Sequence, residues 1–210
     1  MIQNADRLVP VHPLIVRVCH WVNVASIFIM MFSGWRIYNA APVFNAITFP
    51  PNWTLGGWHA GSIQWHFAGM WLLAVNGMVY VAYGVLAGHW RRHFFPLHID
   101  EFKREIGNLL RLKVSHEIGV YNIFQKSAYI GVVLMLIAIV CSGAAIWKPV
   151  QLWWLVGAMG GYEGARIVHF LAMAGIAGFV IIHVMMVALV PDTLPPMLTG
   201  RAIRRPPGGH

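Results

Sequence analysis

Charge is scarce in this chain, and negative charge most of all. Only 7 of 210 residues are Asp or Glu, and charged residues of both signs make up 10%. A water-soluble domain carries about 25%, so this composition does not describe a surface built for water. The deficit is concentrated. No Asp, Glu, Lys or Arg occurs between Arg17 and Arg36, between Arg36 and Arg91, between Lys126 and Lys148, or between Arg166 and Asp192. Each interval holds the roughly 20 apolar residues that cross a bilayer as a helix. Cysteine is nearly missing too. Cys19 and Cys141 form neither CxxC nor CxxCH, which removes a disulfide framework, a zinc knuckle and thioether attachment of a prosthetic group. With no carboxylate inside the apolar intervals, an ion-coupled transporter loses support, and the Glu-x-x-His residues of a di-iron bundle site are missing. Nucleotide-binding and metal-hydrolase motifs are missing, as is an activated nucleophile, so no catalytic residue is assigned. The N-terminus shows no small-residue cleavage site behind a short apolar core, and the first apolar segment is expected to stay as an anchor.

What is present is an all-α pattern. Backbone polar groups find no water in lipid, so the apolar stretches must be helical. They are expected over about 14–37, 62–88, 124–147 and 165–191, as an integral membrane four-helix bundle forming one domain, 1–210. Pro10 and Pro13 precede the first helix, Pro149 follows the third, and Pro191 ends the fourth. All the cations except Arg36, Lys148 and Arg166 fall in the N-terminal arm, the 89–123 connection, the start of the third helix or the tail. This asymmetry places both termini in the cytoplasm, and the net charge of +8 is read as topology, not as nucleic-acid binding. In a Gram-negative cell the membrane is the inner one, with the opposite face toward the periplasm. Within 89–123, Ile99, Phe102, Ile106, Leu109 and Leu110 repeat at helical spacing among cations. That suits an amphipathic helix on the membrane surface and equally a solvated loop drawn to anionic lipid. The Pro, Gly and Arg content of 195–210 reads as a flexible tail, and His210 after Gly-Gly is either native or a scar of expression.

Histidine is the ionisable group left inside. His169 and His183 are 14 residues apart, which places them on nearly one helix face about 21 Å apart along the axis. The first helix runs outward, so His20 lies near its cytoplasmic end. The second runs inward, so His66 lies near the periplasm. Depths then match as His20 with His183 and His66 with His169. Two imidazoles facing each other at one depth in an apolar bundle are what a bis-histidine haem iron requires, and two stacked sites would form a transmembrane electron wire. Zinc fits poorly, with only two protein ligands in each pair. His59, seven residues before His66, is a reserve ligand for the outer site. Gly34, Gly69, Gly143, Ala172, Gly175 and Gly178 either leave room for a porphyrin or let helices pack closely.

The stretches RVCHWVNVASIFIMMFSGW (17–35), HFAGMWLL (66–73), YNIFQKSAYIGVVLMLIAIVCSGAAIW (121–147) and RIVHFLAMAGIAGFVIIHV (166–184) resemble the bacterial di-haem cytochrome b family. That family includes the cytochrome b subunits of nickel–iron hydrogenase and formate dehydrogenase and the prokaryotic cytochrome b561 proteins. The resemblance covers all four helices. It implies two b haems, with His20 and His183 as axial ligands on the cytoplasmic side and His66 and His169 on the periplasmic side. It also implies a quinone site at Tyr121, Asn122 and Gln125, although helix capping explains the last two equally well. Arg17, Lys126 and Arg166 stand where haem propionates would emerge, and where membrane-edge cations are expected in any case.

The resulting expectation is an electron-transfer subunit that links membrane quinone to a periplasmic redox partner of hydrogenase, formate dehydrogenase or molybdenum-enzyme type. Substrate chemistry would then belong to the partner. The alternative is a self-contained superoxide:quinone oxidoreductase, which calls for a cationic periplasmic mouth. The uncharged loop 37–61, with Phe44, Phe49, Trp53 and Trp58, suits docking to a protein as well as lying among lipid headgroups.

Overall fold

The computed structural model describes residues 7–87 and 123–204. In chain order the elements are β1 (Arg7–Pro10), α1 (Leu14–Ala40), α2 (His59–Leu86), α3 (Ile123–Trp147), α4 (Trp153–Ala158), α5 (Tyr162–Leu189), α6 (Leu194–Thr199) and β2 (Arg201–Arg204). Single 3-10 turns stand at Pro51–Trp53 and Pro191–Thr193. Among the described residues the fold is helical apart from one two-stranded antiparallel ribbon. Three helices, α1, α2 and α5, are long and apolar enough to cross a membrane, and α3 carries a shorter apolar run over Gly131–Trp147. The chain is a multi-pass membrane protein.

The described residues fall into two units, 7–87 with 184–204, and 123–183. The first is built on the α1–α2 hairpin, and the second on α3, α4 and most of α5. Their packing is that of a protein whose solvent is lipid. Bulky apolar side chains face outward, Leu86 at 87% exposure and Ile181 at 68%, while Ser26, Ser33, Ser62 and Ser142 are fully buried. Lipid offers no hydrophobic drive for helices to associate, so small residues that admit close backbone approach make the contacts. A Cβ at Gly69 would stand 2.7 Å from Met30 Cγ on α1. Ser26 Oγ–H donates to Val22 O at 2.7 Å, satisfying the hydroxyl within its own helix.

A polar link through Asn76 joins α1 to α2 deep in the first unit. The Asn76 amide donates to Cys19 O at 2.8 Å and to Asn23 Oδ1 at 2.6 Å. Asn76→Leu keeps the bulk and removes both bonds. Interhelical bonds of this kind contribute about 0.6 kcal/mol on average, so the substitution should destabilise the protein by about 1 kcal/mol in a detergent unfolding titration. An unchanged midpoint would show that the link adds nothing.

The tail departs from expectation. Composition suggested flexibility from residue 195, yet α6 and β2 order it to Arg204. Gly200, at φ 79°, ends α6 in the left-handed conformation, and its carbonyl accepts from Val11 N–H at 2.8 Å. β2 then pairs with β1 in the register Arg7↔Arg204 to Pro10↔Arg201. These are backbone bonds to residues almost 200 positions away, which composition does not reveal. The expected surface helix in 89–123 lies outside the described residues.

Candidate functional site

Each unit contains the same small assembly. In the first, Ser33 is the twentieth residue of α1 and His66 the eighth of α2. In the second, Ser142 is the twentieth residue of α3 and His169 the eighth of α5. His66 Nδ1 lies 3.2 Å from Ser33 Oγ and 3.1 Å from Met30 O. His169 Nδ1 lies 3.0 Å from Ser142 Oγ. A glycine follows each serine and makes room for the ring. A Cβ at Gly34 would stand 3.3 Å from His66 Cε1, and one at Gly143 would stand 3.2 Å from His169 Cε1.

The proton positions follow from donor counting. A serine hydroxyl has one hydrogen. Ser33 Oγ–H donates to Ile29 O at 2.6 Å and Ser142 Oγ–H to Ala138 O at 2.6 Å. The Met30 carbonyl can only accept, so the 3.1 Å contact makes His66 Nδ1 the donor and leaves the lone pair on Nε2. At His169 the Ser142 hydroxyl accepts from Nδ1 when it keeps its own bond to Ala138 O. A histidine set for metal ligation has this form, with one nitrogen fixed by an outer hydrogen bond and the other left as the donor to the metal.

The other two histidines sit differently. His20 is half-buried on α1 and meets Trp21 edge-on, with ring centroids 5.4 Å apart. His183 is exposed on α5 and stacks on Phe179 at 5.8 Å. His20 and His66 belong to the first unit, and His169 and His183 to the second. His59 is the exposed first residue of α2.

A b-type haem fits these residues. Among the described residues no three His, Cys, Asp or Glu gather around a possible metal position. A metal held by two imidazoles therefore needs its remaining ligands from elsewhere, as a porphyrin supplies them. Two buried donors lack an acceptor among the described residues, Trp35 Nε1 and Arg17 Nε. A buried N–H is costly without a partner, and a propionate is an acceptor for such a group. Trp35 is held by stacking on Phe49 at 4.7 Å and 2°. Phe49 is itself fixed by Asn39, whose amide donates to Phe49 O at 2.8 Å and whose Oδ1 accepts from Phe49 N–H at 3.0 Å. Sequence reasoning had singled out neither serine nor Trp35. The Ser-Gly pairs at 33–34 and 142–143 were the available signal.

The remaining expected contacts are mixed. Arg17 donates through Nη2 to Leu198 O and lines an open apolar groove with Leu14, Val18, Trp21 and Leu198. Arg166 pairs with Glu163 one turn earlier at 2.8 Å. Asn122 and Tyr121 lie outside the described residues, as do the side chains of Gln125 and Lys126 on α3.

Comparison with known proteins agrees with this chemistry. The chain is 45% identical over 197 residues to a protein of Azospira oryzae named as a protein-methionine-sulfoxide reductase subunit, YedZ1, covering 93% of this chain and 99% of that one. It is 24% identical over 186 residues to a protein of Bradyrhizobium diazoefficiens named as a Ni/Fe-hydrogenase B-type cytochrome subunit, covering 80% and 73%. The prokaryotic cytochrome b561 profile matches residues 11–200, and the chain belongs to that family of membrane electron-transfer cytochromes.

Proposed function

We propose that this protein is a di-haem cytochrome b of the bacterial inner membrane that moves electrons between the quinone pool and a periplasmic oxidoreductase. The observation that carries the reading is the matched placement of His66 and His169, each at the eighth position of its helix with Nδ1 within hydrogen-bond reach of an oxygen on the preceding long helix. When bound, b-type haem supplies a one-electron iron couple at each site. His66 and His169 would hold the outer haem, and His20 and His183 the inner one. The β1–β2 ribbon supports a common side for the two termini, and the cations Arg7, Arg17, Arg201 and Arg204 near it support the cytoplasmic side.

Asn122 and Gln125 are proposed to bind a quinone carbonyl, and Arg17, Lys126 and Arg166 to face propionates, with Trp35 added at the outer site. The name of the Azospira relative points to a methionine sulfoxide reductase as the partner class. Two electrons and two protons per sulfoxide then yield methionine and water, with electrons leaving quinol on the inner side. A self-contained superoxide oxidase is less well supported, because Glu163 neutralises Arg166 and the 37–61 loop has no charge.

The test is anaerobic addition of a quinol to haem-loaded protein in detergent, followed by visible absorption. Reduced b-type bands should appear, and a periplasmic methionine sulfoxide reductase with its substrate should reoxidise them. Loaded protein that quinol leaves oxidised would overturn the quinone assignment. Quinol-reduced protein that no such reductase reoxidises would overturn the partner class.

A further inference from the structure

We infer that the groove between α1 and α6 binds one anionic phospholipid, with an acyl chain laid along α1 and the phosphate beside Arg17. The groove lies wholly within the first unit, and the inference does not depend on haem.

Three observations carry it. The first is shape. The groove encloses about 460 Å³ and is lined by Leu14, Val18, Ala25, Leu72 and Leu198, with Arg17 among them. From Leu14 to Ala25 it follows α1 for about 16 Å, which suits a hydrocarbon chain better than a compact molecule. The second is anchoring. Arg17 donates through Nη2 to Leu198 O, and Trp21 Nε1–H donates to Met197 O at 3.3 Å. These bonds hold α6 to α1 and fix a guanidinium and an indole together at the groove, two groups suited to headgroup depth. Arg17 Nε–H has no acceptor among the described residues, and a phosphate oxygen is a strong, charge-assisted one.

The third is charge. The described sequence of this unit, 7–87 and 184–204, contains Arg7, Arg17, Arg36, Arg201 and Arg204 against one carboxylate, Asp192. Asp192 precedes α6, whereas Arg17 meets the last turn of that helix. Arg7, Arg201 and Arg204 belong to the β1–β2 ribbon that follows α6. Among the described residues no carboxylate pairs with Arg17. An anionic headgroup matches this excess of cations, and a neutral apolar molecule would leave it unused. A haem propionate is the competing acid for Arg17. His20, however, stands about 160° round the helix from Val18 and about 140° from Ala25, so the groove opens on a different face of α1.

The test adds phosphatidylglycerol or phosphatidylcholine, with identical chains, to the delipidated full chain in detergent and counts bound lipid by native mass spectrometry. One phosphatidylglycerol should be held about 5-fold more tightly than phosphatidylcholine, the effect of one cation near a headgroup. Arg17→Gln should remove that preference, and Arg17→Lys should keep most of it. Arg36→Gln, near the other end of α1, should leave it unchanged. Ala25→Phe fills the groove without altering charge and should weaken both lipids alike. Because Ala25→Phe and Arg17→Lys leave a cation at position 17, they keep the inference testable if Arg17→Gln fails to fold. Equal affinity for the two lipids in the parent would overturn the inference, as would undiminished binding by Ala25→Phe. Stabilisation by inorganic phosphate equal to that by phosphatidylglycerol would make this a small-anion site and overturn the lipid assignment. An Arg17→Gln protein that keeps its lipid preference but loses a b haem would return Arg17 to a propionate.

Discussion

His66→Ala and His169→Ala are each expected to leave one b haem per polypeptide where the parent binds two, and the haem lost should be the same one in both. Each substitution removes an Nε2 donor whose orientation is fixed from the far side of the ring, at Met30 O and Ser33 for one and at Ser142 for the other. Water cannot readily take the vacant position in an apolar membrane interior, and a single imidazole holds iron less firmly than two. Quinol-driven reduction of an outside acceptor should fall to background in both variants, because a one-haem protein carries electrons only part of the way across about 30 Å of hydrocarbon. Added imidazole should restore part of the lost spectrum by filling the cavity. If the two variants lose different haems, the pairing of His66 with His169 is wrong, although either can still be a ligand.

Gly143→Val should have a comparable effect without touching a ligand. A Cβ at this position already approaches His169 Cε1 to 3.2 Å and Nδ1 to 3.5 Å, and the two methyl groups of valine extend beyond it. The ring must rotate away from Ser142, and an interior packed at crystal-like density has little space to receive it. We expect loss of the outer haem, with affinity lowered at least about 10-fold. Gly131→Ala serves as a control, since a Cβ there meets nothing within 4 Å, and it should retain two haems. Retention of the outer haem by Gly143→Val, with normal spectra, would mean that the close approach has no bearing on the site.

The legible part of this protein was what lipid dictates. Uncharged intervals long enough to span a bilayer marked α1, α2 and α5, and the same scarcity of charge left histidine as the ionisable group within them. The depth pairing of those histidines stays an expectation drawn from the rise per residue and the direction of each span. Tertiary detail was not legible. A serine in an apolar helix reads as a small packing residue, and nothing local in the chain says that Ser33 faces His66, 33 positions away. Ser-Gly occurring once in each of two apolar stretches was a repeat too short to stand out. Trp35 carried no signal of its own in the sequence; its ring stacks on Phe49, and its N–H is buried without an acceptor among the described residues. The tail misled for a different reason: Gly and Pro are common in flexible segments, but Gly200 is there to turn the chain into a strand. The Arg166–Glu163 pair, by contrast, was readable from spacing alone, being three residues apart at a helix start.

The measurement that bears most directly on the central claim is haem content per polypeptide, by pyridine haemochrome on detergent-purified protein expressed with ample haem. Close to two b haems for each chain is the expected result. One would leave half of the ligand set without a function. None, in a well-folded preparation, would contradict the proposed ligation by His20, His66, His169 and His183 altogether.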